Sequence, residues 1–151
     1  MNEEYELKEV EEALSAANNA LDHLYRAKEI LGSASTMGIL DILGGGMFIT
    51  FLKQRKMSEA REQMEAAQRA LEMFNRELDD VRNMNLHLHL DDFTAFADYF
   101  FDNCFTDLFV QGKISDARGQ VNHAIQEVSR LQKELQDREE ELVYAMDHPA
   151  H

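Results

Sequence analysis

No tryptophan, a single proline and a single cysteine occur in the 151-residue chain. With so few breakers, and only seven glycines, little interrupts a helix, so long uninterrupted helices are expected. One cysteine, Cys104, excludes an internal disulfide framework and suits a reducing compartment. Charge-free apolar runs of about 18 residues are also missing, which excludes a standard membrane-spanning helix. The opening "MNEEYELKEV" is acidic and has no apolar centre, so it does not read as a signal peptide, and a cytoplasmic location is expected.

Basic residues are scarce as well. Fifteen Lys and Arg face 29 Asp and Glu, a net charge of -14. Such a surface repels phosphate, so nucleic acid is not an expected partner. The one basic stretch, Lys53-Gln54-Arg55-Lys56, directly follows an apolar, glycine-containing segment.

What the chain has is periodicity. Leu7, Val10, Leu14, Ala17, Leu21, Leu24 and Leu31 recur at alternating steps of three and four, with Lys28 the one polar member of the series. Met57, Ala60, Met64, Ala67, Leu71, Phe74, Leu78 and Val81 form a second seam. Ile114, Ala117, Val121, Ala124, Val128, Leu131, Leu135, Arg138, Leu142 and Ala145 form a third. Three such seams predict an all-α fold, an elongated bundle of three long coiled-coil-like helices near 3–31, 57–84 and 114–146. Ser58-Glu59 and Ser115-Asp116 are expected N-caps of the second and third helices, and Gly32 the end of the first.

The second and third seams also resemble each other in sequence. "KMSEAREQMEAAQRALEMFNRELDD" from Lys56 and "KISDARGQVNHAIQEVSRLQKELQD" from Lys113 align at an offset of 57. An internal duplication is expected within one all-helical domain, 1–151. Residues 1–31 form the first helix, 32–84 one repeat, 85–146 the other and 147–151 a frayed tail. The same offset sets "DILGGGMFITFLKQ" (41–54) opposite "DYFFDNCFTDLFVQ" (98–111).

Gly44, Gly45 and Gly46 do not form a phosphate loop, because no strand precedes them and no Lys-Ser/Thr follows. Within a helix they cost about 2–3 kcal/mol relative to alanine, so a compensation is required. Either Phe100, Phe101 and Phe105 of the aromatic segment fill the bare surface, or the glycines form a plain turn. On a helical wheel Phe93, Phe96, Ala97, Phe100, Cys104 and Leu108 share one face, whereas Phe105 and Phe109 fall beside the acids Asp98 and Asp102. The helix is therefore buried between several neighbours, or Phe105 and Phe109 form a contact patch, with burial preferred.

Candidates for chemistry are few. In "LHLHLDD" (86–92), His87 and His89 would point to one side of an extended strand, a spacing that can hold a metal. A linker whose leucines pack on the bundle is the stronger reading. Asp98 and Asp102, one turn apart, read as a solvated face. Glu-x-x-His pairs of a di-iron bundle are lacking. Cys104 sits among phenylalanines as packing, and His23 and His123 have no matching acid at ligand spacing. Since no nucleophile, base and orienter can be assembled, neither an enzyme nor a cofactor is expected. Asp41 and Asp98, at equivalent repeat positions, are expected to pair with a neighbouring cation or to cap short helices.

Asp41 with Gly44-Gly45-Gly46, "FADYFFDNCF" (96–105) and the "KIS" start resemble a family of small, helical, uncharacterised bacterial proteins over residues 37–131. The resemblance implies a bacterial cytoplasmic protein and no activity. The expected role is a structural or protein-interaction one, with a protein partner or self-association. The alternative is peripheral membrane association through 37–52, in which Phe48 would insert beside the basic flank.

Overall fold

The computed structural model describes residues 3–42, 47–82, 93, 95–100 and 114–149, and within the helices the side chains of 33–57, 82, 114 and 115 lie outside the described set. The all-α expectation holds: every described residue except His148 and Pro149 is helical. Helix α1 is Glu3–Ile42, α2 is Met47–Arg82, the described part of α3 comprises residues 93 and 95–100, and α4 is Ile114–Asp147. Helix α1, with 40 residues, is about 60 Å long.

Two boundaries differ from the sequence reading. Helix α1 runs on past Gly32, which is not its terminus. A Cβ at Gly32 would lie 3.4 Å from the Arg118 guanidinium of α4, so the helix continues with a neighbouring side chain over the missing one. Helix α2 begins at Met47, which leaves Ser58 exposed in its interior rather than at its N-cap. The apolar segment 37–52 is thus not a separate short helix; it contributes the last turns of α1 and the first turns of α2. Residues 43–46, with the three glycines, lie outside the described residues. A cap is worth about 1 kcal/mol, too little to end a helix that tertiary packing continues.

Helix directions follow from residue pairs. His23 of α1 meets Gln63 of α2 at 3.4 Å, and Glu9 meets Glu77, so α1 and α2 are antiparallel. Asn18 meets Gln132 and Glu6 meets Arg138, so α1 and α4 are also antiparallel. Cα atoms of α1 come within 8 Å of both α2 and α4, whereas no such approach joins α2 to α4 among the described residues. Helix α1 is therefore the hub. Ala13, Ala16, Ala17, Ala20 and Ala27 are buried on it, and small side chains on two adjacent stripes let both neighbours come close.

Helix α3 fills the other side. Phe93 packs edge-on against Phe74 of α2 (ring centroids 5.4 Å apart), and Phe96 packs edge-on against His123 of α4 at 4.7 Å. Phe74 lies toward the end of α2 and His123 toward the start of α4, so the chain in α3 runs in the same sense as α1. The four helices alternate in direction, and α2 and α4 each meet both α1 and the described part of α3. Phe93 and Phe100 are fully buried and Ala97 nearly so, while Phe96 is half-buried, which matches the face read from the wheel. The core between these helices includes Leu24, Leu31, Met64, Leu71, Phe74, Leu78, Leu131 and Leu135, each contributing about 1.5–3 kcal/mol by burial.

Candidate functional site

The start of α1 and the ends of α2 and α4 converge at one end of the bundle, away from the end of α1 and the start of α2, and the polar side chains of note gather there. Arg138 stands on the apolar seam of α4 and reaches α1. Its guanidinium donates to Glu6 at 2.6 Å and to Glu141 at 3.0 Å. Burial disfavours its charge, but the hydrogen bonds to Glu141 and Glu6 outweigh that and raise its pKa. The Arg138 Nε is buried and makes no hydrogen bond.

One turn deeper along α1 lies an acidic group. Glu9, Glu12 and Glu77 each offer a carboxylate oxygen, all within 4.8 Å of one another. Glu9 is only 8% exposed, the one charged residue counted among the buried side chains described. Glu77 is half-buried, with Oε2 covered and without a hydrogen-bond partner, and Glu12 is exposed. Burial raises the carboxyl pKa of Glu9, reinforced by Glu12, Asp80 and Glu77 and slightly offset by Lys8. Burial also raises that of Glu77, reinforced by Glu12 and Asp80. Lys8 approaches Glu12 from the solvent side at 3.9 Å.

Apolar side chains project into solvent at this same end. Tyr5 is 51% and Tyr144 65% exposed, and Val143 and Met146 are exposed beside Tyr144. The Tyr144 ring stacks on His148, with centroids 4.2 Å apart and planes 16° from parallel. Asp137, Glu140, Glu141 and Tyr144 line a shallow, open depression on α4.

The residues singled out from the sequence lie elsewhere. Phe100 is core, 6.0 Å from Phe96 by ring centroids. Asp98 is exposed on α3, and Asp102 lies outside the described residues. The side chains of Asp41 and Phe48, and all of Gly44, Gly45, Gly46, His87, His89, Phe101, Phe105 and Phe109, lie outside the described residues. His123 corrects another expectation: its Nε2 lies 3.7 Å from Glu127, an acid four residues along the same helix.

The acidic group was missed because Glu9 reads as surface when only the Leu7–Leu31 seam is traced. The available signal is a second stripe, Glu9, Ala13, Ala16, Ala20 and Ala27, on which Glu9 is the charged member. Compared with known proteins, the chain matches no family, no curated protein and no solved structure.

Proposed function

We propose that this chain is a structural, protein-binding helical protein that acts by association, in the first place with a second copy of itself. The observation that carries the reading is the exposed apolar group Tyr5, Val143, Tyr144 and Met146 at the end of a bundle whose net charge is -14. Aromatic and methionine side chains are the residues enriched at interfaces, and here they stand where α1 starts and α4 ends. Like charge opposes association of two such chains, so association by this surface strengthens as salt screens the repulsion.

An internal duplication belongs to the same proposal. The buried positions Ala60, Met64, Ala67, Leu71, Phe74 and Leu78 of α2 have buried apolar counterparts 57 residues on, at Ala117, Val121, Ala124, Val128, Leu131 and Leu135 of α4. This supports two copies of one seam, each laid on α1.

Light scattering over a range of concentrations, at low and high salt, tests the association. The expected result is a mass that rises above the 17.4 kDa of one chain with concentration and rises further with salt. A mass fixed at one chain throughout removes self-association. Vesicle flotation addresses the competing membrane use of 37–52. The association reading expects no binding to neutral or anionic vesicles; no helix among the described residues is long and apolar enough to cross a membrane.

A further inference from the structure

We propose that Glu9, Glu12 and Glu77 bind a divalent cation of the calcium class, which clamps α1 to α2. The geometry is within reach of one ion. Three oxygens all within 4.8 Å of one another lie within about 2.8 Å of a common centre, a few tenths of an ångström beyond a calcium–oxygen distance.

The group also has a need that an ion meets. Glu9 is more than nine-tenths covered, its carboxylate is turned toward Glu12 and Glu77, and no hydrogen bond or ion pair from a described residue reaches it. Glu77 Oε2 is covered and equally without a donor. A covered carboxylate oxygen without a donor, as at Glu77, is costly, and a second carboxylate beside it raises that cost. Asp80 adds negative potential to both, and among the described residues Lys8, itself largely exposed, is the one opposing charge felt by Glu9, with its ion pair to Glu12. The raised carboxyl pKa values have the same origin and fit a place where positive charge is lacking.

Donor chemistry selects the cation. All three ligands are hard carboxylate oxygens and no histidine or cysteine belongs to the group, which disfavours zinc and copper. Magnesium demands shorter bonds and near-ideal octahedral geometry, whereas calcium accepts irregular oxygen shells. Glu12 is exposed, so water completes the coordination from that side. Because Glu9 and Glu77 come from different helices, an ion held between them favours the folded chain by linkage.

Thermal unfolding of the full chain, followed by circular dichroism, provides the test. The melting temperature is compared in EDTA, in calcium chloride and in sodium chloride of matched ionic strength. Calcium at about a hundred times its dissociation constant should raise the midpoint by on the order of 5–10 °C over matched sodium chloride. Glu9→Gln should lose that rise and melt higher than the parent in EDTA. Glu12→Gln, a change at an exposed position, should weaken calcium binding by more than about tenfold in calorimetric titration. Glu11→Gln, an exposed control on α1, should keep the full shift. Equal midpoints in calcium and matched sodium chloride, or a full calcium shift in Glu9→Gln, would overturn the proposal.

Discussion

Arg138 and Glu6 stand 132 positions apart in the chain and share a 2.6 Å hydrogen bond that ties the end of α4 to the start of α1. Their side chains are 31% and 16% exposed, so the pair is neither a free surface bridge nor a dry internal one. Glu6→Ala leaves the Arg138 charge half-covered and should cost about 1–3 kcal/mol in urea unfolding. Arg138 interrupts an apolar seam between Leu135 and Leu142, so the double variant Glu6→Leu/Arg138→Leu should recover that loss or exceed the parent. Equal stability of Glu6→Ala and the parent would mean the bond is not formed in solution.

Helical glycines offer gains. Nothing lies within 4 Å of a Cβ at Gly119, and the residue is exposed within α4. Gly119→Ala should therefore stabilise by about 0.5–1 kcal/mol. At Gly32 the new Cβ meets the flexible Arg118 guanidinium at 3.4 Å, an ordinary contact, so Gly32→Ala should also stabilise. Loss of stability in Gly32→Ala would show that the helix breaks there after all. Denaturant midpoints decide both.

The α3 anchor should be costly to remove. Phe93 is fully buried against Phe74, and Phe93→Ala should cost about 3–5 kcal/mol. Met73, exposed on α2, should lose within about 0.5 kcal/mol on replacement by alanine. Similar losses for the two would remove α3 from its place between α2 and α4.

Acidification should stabilise the protein from neutral pH downward. Burial and neighbouring carboxylates raise the folded-state pKa of Glu9 and Glu77 above the ordinary glutamate value of 4.5. The folded chain then holds more protons than the unfolded one in the interval above that value. Stability contributed by these groups is fully present below the unfolded pKa and is lost as pH rises through the folded pKa. In EDTA, the melting temperature should rise from about pH 7 to about pH 5, and Glu9→Gln should flatten that rise. A melting temperature that falls over this interval would contradict the assignment.

Much of the packing was legible because burial and periodicity are the same fact. Leu14, Leu21, Leu71, Leu78, Val121 and Leu135 are buried where the steps of three and four put them. Helix ends were less legible, since Gly32 and Ser58 carry the local chemistry of a terminus while a neighbouring helix carries the chain through. Helix direction was not legible at all, because a seam reads alike in both directions until a cross-helix pair such as His23 and Gln63 orients it. Glu9 escaped notice for a related reason: its burial depends on a second neighbour of α1, which a single traced seam does not reveal.

The most direct test of association through the exposed end uses the chain's lack of tryptophan. Tyr144→Trp places a single indole at the most exposed of the large apolar side chains described. Its emission is recorded from dilute to concentrated protein, at low and high salt. If copies associate through this surface, the emission shifts to shorter wavelength with concentration, and at lower concentration in high salt. Emission that stays at the wavelength of water-exposed indole, while light scattering shows a rising mass, would place the interface elsewhere and contradict the account.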